Sequence, residues 1–164
     1  FQEYIPFNEK KYRIKSEKRY RAIAGLSMGG GGSFIYALRH PEMFSSACPL
    51  SGNMGKLSYN AFYENNEEKF KKYRREKVFN YYSNHNALSI IQNQTDENLK
   101  SVRWYIDCGD NDFLYEGNSL VHIALKKRGV PHEYRVRDGA HNWTYWRSAL
   151  PEVLSFVSDR FHQK

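Results

Sequence analysis

The chain has 164 residues, a mass of 19.4 kDa and no apolar run near the roughly 20 residues of a membrane helix, so it is one domain or part of one. The formal net charge of +7 raises the question of a nucleic-acid partner. However, acids at helical spacing accompany the densest basic cluster, 69–77, which favours the solvated face of a surface helix over a nucleic-acid site. We therefore expect no nucleic-acid partner, and the lack of a long apolar run predicts no membrane partner.

The first third of the chain predicts a helix, a strand, a second helix and a second strand. Apolar residues within 1–12 are consistent with a helix interrupted or begun near Pro6. Two short apolar strands are expected, one at 20–26 and one within 43–51. The helix between them spans 29–40, and Pro41 stops it. Two strands joined through one helix form a βαβ unit, so these strands should be parallel.

The remaining two thirds contain a long polar insertion, followed by a return to alternating strands and helices. The insertion, about 53–100, carries helical patterns at 61–79 and 87–94 and is expected to cover the active-site face. Strands are predicted at 102–108 and 132–136, and helices at 114–128 and 143–161. This rhythm predicts an α/β fold with a parallel sheet flanked by helices. Cys48 and Cys108 fall within predicted strands, so buried thiols are expected, with a disulfide as the alternative.

The segment Gly25-Leu-Ser27-Met28-Gly29 is a G-x-S-x-G pattern between the first strand and its helix. In a nucleophile elbow, a serine on a tight strand-to-helix turn presents its hydroxyl above the sheet edge. We expect glycines to flank Ser27 because the strained turn leaves no room for neighbouring β-carbons. The backbone N–H of Met28, the first helical residue, would then point to a developing oxyanion. A chance match in a glycine-rich turn is the alternative, and the flanking strand and helix argue against it.

A serine nucleophile requires a base, and His141 is the best candidate among the six histidines. It follows a predicted strand, on a glycine-containing loop at the carboxyl edge of the sheet, where ligands of such sheets bind. A carboxylate must then orient the imidazole. Asp110 and Asp112 share the loop after the third strand, and their spacing leaves the choice between them open. Asp107 is expected to end that strand, and Asp138 is too near His141 in sequence.

Three segments, 25–30, 107–114 and 141–146, resemble the esterase D-like branch of the α/β-hydrolases. This branch includes S-formylglutathione hydrolases, feruloyl esterases and acetyl xylan esterases of the first carbohydrate esterase family. The resemblance implies that Asp112 is the acid and that Trp143 faces the substrate, although Trp143 could equally anchor the last helix. It also implies a secreted or periplasmic protein, although residues 1–6 read as the interior of a domain and not as a signal peptide.

The chain departs from this family in one large way. The family's domain carries several strands before the elbow, including the loop that donates a second oxyanion N–H, whereas only residues 1–19 precede the predicted elbow strand. We therefore expect 1–164 to be the C-terminal portion of one α/β-hydrolase domain. A missing N-terminal segment or a second chain would complete its sheet beside 20–26, since a bare edge invites aggregation.

The combined prediction is a serine carboxylesterase that acts through an acyl-enzyme and needs no metal or cofactor. Ser27 attacks the ester, His141 shuttles the proton, Asp112 orients His141 and the Met28 N–H stabilises the oxyanion. The resemblance implies feruloyl or acetyl esters on plant polysaccharide as substrates. The alternatives are an acyltransferase of the same fold and a non-catalytic carbohydrate-binding or interaction module.

Overall fold

The computed structural model describes residues 1–55 and 59–162, so part of the predicted insertion, 56–58, lies outside the described residues. The strands are β1 Ala22–Leu26, β2 Ser46–Leu50, β3 Arg103–Gly109 and β4 His132–Arg137. The helices are α1 Tyr4–Tyr12, α2 Met28–Arg39, α3 Tyr59–Glu64, α4 Glu67–Phe70, α5 Arg75–His85, α6 Ala87–Asn93, α7 Asp96–Lys100, α8 Tyr115–Lys127 and α9 Trp143–His162. Within the described part of the chain, none of these helices is long and apolar enough to cross a bilayer.

The four strands pair in the order β1-β2-β3-β4, and every pairing is parallel. Alternate residues of β3 face opposite sides of the sheet, as the period of a strand requires. Trp104 packs into a core with α2, α6 and α8, whereas Tyr105 packs against α9 on the other face. The prediction of a parallel α/β sheet covered by helices is therefore confirmed.

The elbow strand β1 is an edge strand of the described sheet. Within the described residues it pairs with β2 alone, and Ala24 at its centre is exposed. All five residues of β2 are buried, by contrast. An exposed Ala24 and an open edge on β1 are what the expectation of further strands beside 20–26 implies for this chain.

The insertion is helical, but its helices are shorter than the sequence pattern predicts. One helix was expected over 61–79, and the structure instead has α3, α4 and the start of α5, with breaks near Asn66 and Arg74. The second break falls in a run of like charges, which destabilises a helix at i,i+4 spacing. α6 matches the prediction closely, and α7 was not predicted. The basic side chains expected to be solvated are all exposed: Lys69, Lys71, Lys72, Arg74 and Arg75.

Both cysteines are buried free thiols, which agrees with the default expectation from the sequence. Burial is the main cause that raises the pKa of Cys48 and of Cys108 to about 12. Because the thiolate is the reactive form, both side chains act as small apolar groups in the core.

A pair of histidines joins α8 to the edge strand β4. His122 Nδ1 and His132 Nε2 lie 2.8 Å apart, and His132 Nδ1 lies 2.7 Å from the carbonyl oxygen of Val130. The carbonyl accepts a hydrogen bond from Nδ1–H of His132, so Nε2 of His132 accepts one from His122. Burial is the largest cause that lowers the pKa of His122, and His132 and Lys126 add to it.

Acidification is expected to destabilise the protein through His122. Its pKa is lowered on folding from an ordinary value of 6.5, so the unfolded chain binds more protons below that pH. The contribution of His122 to stability is therefore present above pH 6.5 and is lost as the pH falls below it. The melting temperature should fall between pH 7.5 and 5.5, and less so in His122→Gln than in a variant of the exposed His85, His85→Gln. Equal falls in both variants would contradict this prediction.

Candidate active site

Ser27 lies on the turn between β1 and α2 with φ 55° and ψ −119°. A positive φ is unusual for a residue with a side chain, and such strain is kept where surrounding contacts impose it. The N–H of Ser27 donates to the carbonyl of Leu50 at 2.9 Å. The carbonyl oxygen of Ser27 accepts from the N–H groups of Gly31 and Asn53, at 3.0 and 3.3 Å. The elbow is thus held by β2 and by the loop that follows β2.

The two glycines that flank Ser27 in the motif were both expected at positions with no room for a β-carbon, and only one of them is. A β-carbon on Gly25 would lie 2.3 Å from the carbonyl oxygen of Gly29, so a side chain there does not fit. A β-carbon on Gly29 would meet nothing within 4 Å outside its own helix, so crowding does not explain the second motif glycine and that expectation was wrong. The crowded helical positions are Gly30 and Gly31, where a β-carbon would lie 2.6 Å from the carbonyl oxygen of Leu50 and 2.4 Å from that of Asn53, respectively.

A continuous chain of hydrogen bonds runs from Ser27 through His141 to Asp112. Ser27 Oγ lies 2.8 Å from His141 Nε2, and His141 Nδ1 lies 2.8 Å from Oδ2 and 3.0 Å from Oδ1 of Asp112. The Asp112 side chain is fully buried and also accepts from the N–H of Leu114 at 2.8 Å. With Nδ1–H donated to the carboxylate, Nε2 is free to accept the serine proton, which is the arrangement that general-base activation needs.

The other acidic candidates occupy different positions. Asp110 is exposed, and its carboxylate accepts from the N–H of Gly139 at 3.0 Å and from Asn111 at 3.1 Å. It therefore ties the loop after β3 to the loop after β4 and does not contact the histidine. Asp138 is exposed, and Asp107 is fully buried within β3.

A buried polar cluster supports the histidine loop from below, and sequence reasoning missed it. The Asp107 carboxylate accepts from the hydroxyl of Tyr145 at 2.5 Å and from that of Tyr105 at 3.1 Å, and Arg137 Nη1 lies 3.1 Å away. Burial and the bond to Asp107 raise the pKa of Tyr145, which keeps its hydroxyl a donor. The ring of Tyr145 packs on Gly139, where a β-carbon would lie 2.3 Å from it. Tyr105 and Asp107 lie two apart on one face of β3, which was the available signal.

Aromatic rings surround the imidazole of His141. The ring centroid of Phe113 is 4.5 Å from that of His141, and Trp146 meets His141 edge-on at 4.9 Å. Nε1 of Trp146 donates to Oγ of Ser51 at 3.0 Å, which fixes the indole. Sequence reasoning did not assign Phe113 or Trp146, although both lie in the segments that carried the family resemblance.

Trp143 is the first residue of α9, is 60% exposed, and has its ring 5.4 Å from Trp146. Five other side chains bury α9 against the sheet: Tyr145, Trp146, Ala149, Val153 and Phe156. Anchoring of the helix therefore does not depend on Trp143, and its contact with substrate stays a prediction.

Met28 begins α2, and its side chain is 85% exposed. The first N–H groups of a helix have no intrahelical acceptor, and the helix dipole favours a negative charge beside them. The N–H of Met28 is thus suited to donate a hydrogen bond to an oxyanion.

Within the described residues, no three His, Cys, Asp or Glu side chains are grouped to hold a metal ion.

A protein family described as "Putative esterase" matches residues 2–157. The chain belongs to this esterase family. A solved structure of a ferulic acid esterase superposes on this esterase-family chain with a TM-score of 0.80 at 36% identity, over 98% of this chain and 59% of that one. The fold is accordingly that of the α/β-hydrolases, as the resemblance implied.

Two curated relatives agree with the family assignment. The acetyl esterase of Caldicellulosiruptor saccharolyticus is 26% identical over 164 residues, which cover 95% of this chain and 61% of that protein. The endo-1,4-beta-xylanase/feruloyl esterase of Xylanibacter ruminicola is 29% identical over 153 residues, which cover 92% of this chain and 16% of that protein. This chain therefore spans at most about three fifths of the length of these relatives.

Proposed function

We propose that the protein is a serine carboxylesterase and that Ser27, His141 and Asp112 are its catalytic triad. The observation that carries this proposal is the hydrogen-bond chain from Ser27 Oγ through the imidazole to the buried carboxylate. Membership of the esterase family supports the reaction class. The strained backbone at Ser27 supports the role of nucleophile, since such strain persists at sites of function.

The reaction follows from these positions. The oxygen of Ser27 attacks the ester carbonyl while its proton passes to Nε2 of His141, and the charged imidazole is stabilised by Asp112. The N–H of Met28 donates to the oxyanion of the tetrahedral intermediate. The proton on His141 then passes to the departing alcohol, which leaves an acyl group on Ser27. Water, activated by the same histidine, attacks the acyl-enzyme and releases the acid. No step requires a metal or cofactor.

The substrates we propose are acetyl or feruloyl esters on plant polysaccharide, met outside the cytoplasm. The names of the relatives support this class, since they include an acetyl esterase, a ferulic acid esterase and a xylanase joined to a feruloyl esterase. The exposed ring of Phe113, against His141, and that of Trp143, against Trp146, offer apolar faces to an aryl or sugar group.

We further propose that residues outside these 164 cover the free edge of β1 and supply a second oxyanion donor. The exposed Ala24 and the unpaired edge of β1 within the described sheet support this, as does the partial coverage of the relatives. Loss of one donor typically lowers turnover by about a hundredfold to a thousandfold. The 164-residue chain expressed alone should therefore be poorly active beside the full-length protein, and a soluble, monomeric and fully active chain would contradict this.

The esterase proposal is tested on the full-length protein with a panel of esters. Hydrolysis of 4-nitrophenyl acetate, methyl ferulate, acetylated xylan and feruloylated arabinoxylan is measured, together with covalent labelling by a fluorophosphonate. We expect turnover of at least one ester and a label on Ser27. Neither turnover nor label would contradict the proposal. Transfer of the acyl group to an added sugar, in place of release as free acid, would identify an acyltransferase instead.

A further inference from the structure

The helical insertion forms a pocket of about 590 Å³ that the proposed reaction does not use. Four aromatic side chains line it: Phe62, Phe70, Tyr73 and Tyr81. The rings of Phe62 and Phe70 lie 5.5 Å apart, and Tyr73 and Tyr81 are about half exposed. Flat apolar faces with a hydroxyl at the rim suit a ligand that has both apolar and polar surfaces, as sugar rings have.

The same pocket is lined by three lysines, Lys69, Lys72 and Lys77, and by no acidic side chain among the residues that the structure describes. All three are exposed, and within the described residues none of them forms a salt bridge. The nearby Glu68 pairs with Lys71, which does not line the pocket. Within the described residues, no acidic side chain lies within salt-bridge distance of these three lysines, and a concave surface lined by one sign of charge attracts a ligand of the opposite sign.

A second pocket, of about 370 Å³, adjoins the first and reaches the loop that follows β2. It shares Phe62 and Tyr81 with the first pocket and extends to Asn53. The N–H of Asn53 donates to the carbonyl oxygen of Ser27, so this end of the surface adjoins the nucleophile turn. The two linings together thus extend from the lysines to the loop that holds the turn of Ser27.

We propose that the lysine-lined pocket binds an acidic sugar of the polysaccharide that carries the ester. The carboxylate lies among Lys69, Lys72 and Lys77, where charge-assisted hydrogen bonds form, and the sugar ring lies against the aromatic side chains. This proposal rests on the proposed esterase function, because it places the site on the alcohol side of the same substrate. It predicts a preference for uronic-acid-bearing over neutral polysaccharide.

Binding is measured by calorimetry on the full-length Ser27→Ala protein, so that no ester is consumed. The ligands are a xylose oligomer carrying one uronic acid and the neutral oligomer of the same length. We expect the acidic oligomer to bind about tenfold more tightly at low salt. The triple variant Lys69→Gln, Lys72→Gln, Lys77→Gln should lose this preference. A matched triple change of exposed lysines elsewhere should keep it: Lys10→Gln, Lys126→Gln and Lys127→Gln.

Equal affinity for the two oligomers would overturn the proposal, as would a preference that survives the pocket variant. Tighter, salt-sensitive binding of an RNA oligomer, lost in the same variant, would overturn it in favour of a nucleic-acid site. Ester turnover by the unmodified protein is measured in parallel with oligomer binding. Turnover without a preference for the acidic oligomer contradicts only the proposed role of the pocket in binding an acidic sugar. A preference without turnover contradicts the esterase proposal.

Discussion

Ser27→Ala is expected to lower ester turnover by about a millionfold, the scale seen when a triad serine is removed from a serine hydrolase. The substitution removes the attacking oxygen, and no neighbouring hydroxyl lies in its place against Nε2 of His141 within the described residues. The fold should persist, since alanine accepts the same backbone strain and, within the described part of the chain, the lost hydroxyl bonds only to that histidine. Turnover of 4-nitrophenyl acetate and fluorophosphonate labelling measure the change.

Ser158→Ala is the matched control for this prediction, because among the described residues its hydroxyl contacts only His162, at the far end of α9. Full turnover is expected in the control. Melting temperatures of both variants should remain close to that of the unmodified protein. Substantial turnover in Ser27→Ala would show that another group is the nucleophile and would remove the proposed mechanism.

Asp112→Asn is expected to lower kcat by about ten-thousandfold at neutral pH, with little change in KM. The asparagine would present an N–H group to Nδ1 of His141, which favours the imidazole tautomer whose proton lies on Nε2. Such a ring cannot accept the proton of Ser27. Because the carboxylate stabilises the charged imidazole only as the reaction proceeds, its loss lowers turnover and not substrate binding.

Asp110→Asn is the comparison variant for this test, because sequence spacing alone did not decide which of the two aspartates is the catalytic acid. The Asp110 carboxylate contacts the N–H of Gly139 and lies exposed, so an asparagine oxygen can accept the same hydrogen bond. We expect kcat to change less than about tenfold, the scale of one weakened neutral hydrogen bond. A larger loss in Asp110→Asn than in Asp112→Asn would show that the acid is wrongly assigned.

Much of the fold could be predicted from the sequence because its signals are local. A short apolar run indicates the strand before Gly25–Gly29. The glycine-rich turn and the later Pro41 indicate where the following helix begins and ends. The alternation of later strands and helices then implies a parallel sheet, and that topology brings the ends of β1, β3 and β4 to one edge. Ser27 and His141 could be named as candidates from that reasoning alone.

Tertiary structure alone decided which partners meet. The choice between Asp110 and Asp112 depends on a turn that buries one carboxylate beneath His141 and leaves its neighbour in solvent. The two-residue spacing of Asp110 and Asp112 in the sequence cannot determine which carboxylate is buried. The crowding at Gly30 likewise comes from a carbonyl of β2, since a helix packed this closely on a strand leaves no room for a side chain. Family resemblance, not residue pattern, was what pointed to Asp112.

The contacts that support the active site could not be predicted from local sequence patterns, for the same reason. The bond of Trp146 to Ser51 joins residues 95 positions apart, and that of Tyr145 to Asp107 joins residues 38 apart. In the insertion, by contrast, the helical pattern was correct but its continuity was not, and the break near Arg74 falls where like charges destabilise a helix that has few buried contacts. The sequence thus determined the elements and the candidate groups of this esterase-family chain. Packing between distant segments decided which groups touch, because burial and hydrogen-bond partners exist only once the sheet has formed.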